Sequence, residues 1–177
     1  MVLHQRVAEA LEQGLGAPPV EALAHHYSHT DAHDKAAIYL EWAGDRALAQ
    51  RAHAAAERYY RAAIARLDRL GWAGPAAAAR EKRGKVLHVV AQYEAALAEL
   101  EQAADTYRAA GDLQSLGRTV AEIGHVYWKH GAPEQSVARL QAMLELLEPG
   151  GVTPAVAALY LALTHGYWCR HERYAEA

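Results

Sequence analysis

The sequence has no phenylalanine, no asparagine and a single cysteine, Cys169, in 177 residues. One cysteine cannot make an intrachain disulfide, which suits a reducing cytosol and a cytoplasmic location. Long hydrophobic runs are also missing. No stretch approaches the ~18 apolar residues of a membrane span, and the amino terminus is polar at His4, Gln5 and Arg6, where a signal peptide needs an apolar run. Charge of one sign is in short supply too: the net charge is −3 and the pI near 6.4, so direct binding to a nucleic-acid backbone is not expected.

The chemistry-bearing motifs are absent as well. No G-x-x-x-x-G-K-[ST] loop exists to cradle a nucleotide phosphate, and no HExxH exists to hold a catalytic metal. The three serines, Ser28, Ser115 and Ser136, have no nucleophile-elbow context. Histidines do crowd one stretch, at His25, His26, His29 and His33. His25 and His29 stand four apart, a spacing that brings two imidazoles onto one helical face, but Asp31 and Asp34 place a helix end before His33. His165 and Cys169 form another pair at that spacing, and Arg170 beside Cys169 is thin support for a reactive thiol. An enzyme therefore lacks a supporting constellation, and neither a cofactor nor a metal is expected.

What is present is helical periodicity almost from end to end, while β-branched residues are scarce and never alternate with polar ones as in a strand. Punctuation falls at Gly14–Pro19, Thr30–Asp34, Gly71–Pro75, Gly111–Asp112, Gly131–Pro133 and Glu148–Pro154, with weaker breaks near Arg51 and Ala91. About ten helices follow, joined by links so short that neighbours must run antiparallel.

The helices repeat. Aligning Ala56, Ala96, Ser136 and Ala177 gives steps of 40, 40 and 41 residues. Tyr60, Leu100 and Leu140 lie four beyond the first three, then Ala63, Ala103 and Met143, while Gly44, Gly84 and Gly124 lie twelve before them. A mid-helix glycine costs ~1 kcal/mol against alanine, so three in one register imply close helix-to-helix approach. The expected core includes Leu40, Tyr60, Ile64, Leu87, Leu97, Leu100, Leu116, Ile123, Tyr127, Leu140 and Leu144.

This pattern resembles the tetratricopeptide repeat. Val120, Ile123, Gly124, Tyr127, Gly131, Ser136 and Leu140 show it best. Gly84, Leu87 and Tyr93-Glu94-Ala95-Ala96-Leu97 repeat it, as do Leu40, Gly44, Ala56, Tyr60 and Ala63. The period matches the long-repeat branch of that family. The resemblance implies an all-α fold, a right-handed superhelical solenoid of antiparallel helix pairs. Capping helices are expected over 1–33 and repeats over 34–73, 74–112, 113–152 and an incomplete 153–177. The last unit, with Leu161, Trp168 and Tyr174-Ala175-Glu176-Ala177, matches a first helix and only the opening of a second, an open edge that reads as a truncated chain able to self-associate.

The front of the chain carries a second resemblance. Leu3 to Glu12, Ala22-Leu23-Ala24-His25-His26-Tyr27, Lys35-Ala36-Ala37 and Ala43-Gly44-Asp45-Arg46-Ala47 look like the start of the repeat region in bacterial STAND-type ATPase regulators, LuxR-like transcriptional regulators among them. The two resemblances together imply a protein or peptide partner held in a concave groove, within a larger signalling or transcriptional regulator; the alternative is a small-molecule inducer sensor. The repeat family's concave positions fall here on Glu81, Lys85, His88, Arg118, His125, Trp128, Lys129 and Arg170, with Glu122 at the edge.

Overall fold

The computed structural model describes residues 2–14, 16 and 18–175, with 165–175 in backbone alone. Among the described residues it is all-α, with nine α-helices, one 3-10 turn and no strand. The chain divides into two compact units, Met1–Val86 and Leu87–Ala177. The first holds α1 (Val2–Glu12), α2 (Val20–Ser28), α3 (His33–Ala49), α4 (His53–Leu70) and most of α5 (Ala73–Val89). The second holds α6 (Tyr93–Ala110), α7 (Leu113–His130), α8 (Pro133–Leu147), the 3-10 turn Glu148–Gly150 and α9 (Pro154–Ala175). No helix among the described residues is long and apolar enough to cross a membrane.

The expected breaks are present, with four boundaries shifted. Pro133 and Pro154 open α8 and α9. His33 and Asp34 already belong to the first turn of α3, and Gly74 and Pro75 to the first turn of α5. Proline is tolerated there because the amide it lacks has no helical partner in any case.

The turns explain the period. Positive φ values occur at Arg51, Gly71, Ala91, Gly111 and Gly131, one every 20 residues. Each closes its helix with the same pair of backbone bonds. At Gly71 the amide donates to Asp68 O and the next amide, of Trp72, to Leu67 O. The same pair recurs at Arg51, Ala91, Gly111 and Gly131. This is the Schellman closure, which satisfies the last carbonyls and reverses the chain. The next helix begins two residues later, so the 40-residue repeat is two identical helix-plus-closure blocks.

Glycine takes a left-handed conformation freely, whereas a side chain there costs ~1–2 kcal/mol. Arg51 and Ala91 bear that cost, at φ 58° and 59°. Ala91→Gly is therefore expected to stabilise the protein by about 0.5–1 kcal/mol after the added entropy of the unfolded chain is set against the relieved strain. A urea melt checks it, and a lower midpoint would show that Ala91 is unstrained.

In the α3/α4 and α7/α8 pairs the helices approach closely at a mid-helix glycine. A Cβ on Gly44 would lie 2.6 Å from the Tyr60 ring, and one on Gly124 would lie 2.9 Å from Leu140. In both cases the partner follows by sixteen residues in sequence, so the two pairs are superposable in register. A Cβ on Gly117, two turns earlier in α7, would lie 2.6 Å from Leu147 near the end of α8. The contact thus moves down α8 as it moves up α7, as antiparallel packing requires. Gly84 shares the register and is buried.

Ion pairs stitch α5 onto the pair before it. Lys82 Nζ donates to Glu41 Oε1 at 2.7 Å and Asp45 Oδ2 at 2.8 Å, and Arg83 Nη2 to Glu57 Oε1 at 2.7 Å. The hydroxyl of Tyr60 donates to Asp45 Oδ1 at 2.8 Å. Burial, with that carboxylate as acceptor, raises the phenol's pKa far above its usual value.

Most of the expected core is buried, with two exceptions. Leu97 and Tyr127 are half-exposed. Tyr127 sits at the border of the core, where the Arg139 guanidinium lies 5.9 Å from its ring.

Candidate functional site

Helix α7 is the centre of the second unit and packs against α6, α8 and α9. Its start is fixed by Asp112, whose carboxylate accepts from the Ser115 amide at 3.0 Å. Three neighbours demand a wide apolar surface, and Leu116, Val120, Ile123, Gly124 and Val126 supply it, all buried. What remains is a narrow polar stripe. Arg118, Glu122, His125 and Lys129 follow one another at steps of four, three and four, which puts them on one helical face.

Arg118 and Lys129 are exposed, and Glu122 and His125 half-buried. Arg118 Nη2 donates to Ser115 Oγ at 3.1 Å. His88, from the last turn of α5, faces this stripe. Burial is the main cause lowering its pKa; the Glu122 carboxylate works against that, while His125 and Lys129 add to it. The balance favours the neutral imidazole, beside one carboxylate and one ammonium. Four of the groove residues expected from sequence thus gather at one surface: His88, Glu122, His125 and Lys129. Arg118 extends it.

The remaining expected residues are placed differently. Trp128 is only 8% exposed, and its indole Nε1 has no hydrogen-bond partner among the described residues. It follows Gly124 by four residues and so shares that packed face, not the stripe. Glu81 is buried and accepts from Lys85 Nζ at 2.8 Å, one turn on, in the first unit. The Arg170 side chain lies outside the described residues, as do those of His165, Trp168, Cys169 and Tyr174.

Sequence reasoning missed an aromatic chain beside the stripe. The His88 and Tyr93 rings are 6.2 Å apart and the Tyr93 and His130 rings 5.8 Å apart, with His130 Nε2 3.0 Å from Glu94 Oε1. It also missed that His4 completes the histidine cluster of the first unit. His4 of α1 joins His25, His26 and His29 of the α2 end, with ring centroids 4.7–5.8 Å from it. Burial lowers the His4 pKa, followed by the three neighbouring imidazoles and the amino terminus.

Both shifts point to a fold that weakens in acid. A histidine whose folded pKa is depressed contributes stability that is complete above its unfolded value near 6.5 and is lost as pH falls through the lower folded value. His88 and His4 share this sign. The thermal midpoint is thus expected to fall between about pH 7.5 and pH 5. In His88→Gln the slope should be shallower, and an unchanged slope would remove His88 from the account.

No family model matches the sequence, and no curated protein matches it. Solved structures do. A kinesin light chain-like protein of nearly identical TPR-like repeats from Podosopora anserina superposes with a TM-score of 0.72 at 14% identity, covering 97% of this chain and 81% of that one. A variant of the same protein gives 0.75 at 14% identity over 98% and 85%. BtubC from P. vanneervenii gives 0.57 at 19% identity over 86% and 74%. The fold is TPR-like. In those terms α3/α4 and α7/α8 are helix pairs of the repeat, and the polar stripe belongs to the first helix of its pair.

Proposed function

We propose that the chain is a protein-interaction module that holds a partner peptide or helix against the polar stripe of α7. The observation that carries this reading is the arrangement of that helix. Three of its sides are committed to packing, and the fourth presents Arg118, Glu122, His125 and Lys129, with His88 joining from α5. Both charge signs and two imidazoles, His125 on α7 and His88 on α5, suit hydrogen bonding to peptide groups, and charged rims set partner choice and on-rate. The similarity in fold to TPR-like repeat proteins supports the same reading. The likeness of the first fifty residues to the start of the repeat region in STAND-type regulators supports a place in a larger signalling or transcriptional regulator.

Selection of peptides from a displayed library on the full chain tests the proposal. The selected peptides are expected to bind about tenfold or more weakly to the doubly substituted Arg118→Glu, Lys129→Glu chain. Both positions are exposed, so the variant should melt like the parent. Peptides that bind parent and variant alike would overturn the assignment to this stripe.

A further inference from the structure

The first unit contains a constellation that partner binding does not use. Nitrogen atoms of His4, His25 and His26 all lie within 4.8 Å of one another. His4 Nδ1 and His26 Nδ1 are 2.9 Å apart. His29 stacks on the His4 ring, its centroid 4.7 Å away and the planes inclined by 15°, and stands 4.7 Å from the His25 ring. Four imidazoles drawn from two helices thus share one small region.

We propose that His4, His25 and His26 form a binding site for a divalent transition-metal ion of zinc-like preference, with His29 beside it. Several features of the cluster fit this assignment. Imidazole nitrogen is the favoured ligand of zinc, nickel and copper(II), and calcium and magnesium prefer oxygen. Ligands about 2.0–2.1 Å from a tetrahedral zinc are separated from one another by about 3.3 Å, a value between the 2.9 Å of the closest pair and the 4.8 Å limit of the group. His4 and His26 are half-buried and His25 is exposed, so the site is open to an ion from solvent.

Protonation states are compatible. A neutral imidazole carries one proton and can hold it on either nitrogen. The proton shared between the two Nδ1 atoms moves to an Nε2 when a metal takes its place. His29 Nδ1 lies 2.8 Å from the His25 carbonyl oxygen, so this nitrogen donates and Nε2 is left with its lone pair. A backbone carbonyl holding one ring nitrogen while the other is free is the usual outer support of a metal-binding histidine.

The consequence is a clip on the amino-terminal helix. Otherwise α1 is held by Ala8 and Leu11 packed on Leu23 and Tyr27, and by Glu12, which accepts from Lys35 Nζ and from the Tyr39 hydroxyl, each at 2.7 Å. A metal bridging His4 to His25 and His26 would join the other end of α1 to α2, so binding and docking of α1 are coupled.

The test uses the full chain without a histidine tag, stripped with chelator. Isothermal titration with zinc is expected to show one ion per chain, and cobalt(II) should give the visible bands of a nitrogen-ligated tetrahedral ion. At about a hundredfold excess over Kd, the thermal midpoint should rise by about 5–10 °C. His4→Gln and His26→Gln should each weaken zinc about tenfold or more, as should His25→Gln. His130→Gln should not. Should His4→Gln lower the parent's own melting point, the cobalt spectrum of His26→Gln keeps the test decisive. Zinc binding that survives His4→Gln unchanged would reduce the site to the exposed pair on α2, and no stoichiometric binding would overturn the proposal outright.

Discussion

Gly44→Leu is expected to be among the most damaging single substitutions in this chain, costing about 2–6 kcal/mol. The added Cβ alone would sit 2.6 Å from Tyr60 Cε1, 2.7 Å from Cδ1 and 3.1 Å from Cζ. An aromatic ring has no soft end to bend away, and this one is fully buried. Its hydroxyl is bound to Asp45, whose other oxygen accepts from Lys82. Withdrawal of Tyr60 therefore breaks the link between α4 and α3 and leaves a buried hydroxyl unpaired. Overpacking costs ~1–3 kcal/mol and an unsatisfied polar group a further ~1–3 kcal/mol. In a chain of this length the sum corresponds to a fall of roughly 4–24 °C in melting temperature. Gly74→Leu is the control, because nothing lies within 4 Å of a Cβ at Gly74. Equal melts for the two variants would mean that α3 and α4 do not approach as described.

The second large effect is expected at the matching contact of the next unit. Leu140 is fully buried, and Leu140→Ala should cost about 2–5 kcal/mol through lost transfer energy and a residual cavity. Gly124→Ala acts on the same space from the other side, since its Cβ would meet Leu140 Cδ1, Cδ2 and Cγ at 2.9–3.1 Å. Singly it should cost about 1–3 kcal/mol. Combined, the two changes should be less damaging than their sum by at least about 1 kcal/mol, because the alanine methyl enters the space that Leu140 vacates. Denaturant melts of the four proteins give this coupling directly. Additive losses would show that Gly124 and Leu140 are not in contact.

The fold was largely legible because its determinants are local or periodic. Gly44, Gly84 and Gly124 announce close approach by being costly where they stand, and Tyr60 and Leu140 recur at a fixed offset from them. Gly117 escaped notice although the same register carries Ala37 and Ala77, both buried. Small residues in that row are the signal, and alanine is too common in this sequence for the row to stand out. Arg51 and Ala91 look like weak breaks because the left-handed closure there lacks its usual glycine.

The site was legible where one helix supplies it. Arg118, Glu122, His125 and Lys129 follow from helical spacing on α7 alone. Trp128 was harder, since a tryptophan near the edge of a stripe is assigned by which neighbour covers it, not by its angle around the helix. The His4 cluster depends on how α1 folds back through the break at Gly14–Pro19. No periodicity spans that break, so three of its histidines could be seen together and the fourth could not.

The left-handed closures at Arg51, Gly71, Ala91, Gly111 and Gly131 also constrain how such a chain can change length over evolutionary time. Each 20-residue block carries its own stop signal and can be copied or lost without disturbing the closure of its neighbours. Each block also reverses the chain direction. Loss of one block would send every later helix the wrong way and exchange the roles of first and second helices. Loss or gain of two restores both direction and role. The closures thus set a parity rule: lineages of this sequence should differ by multiples of two blocks, with odd changes tolerated only at an end.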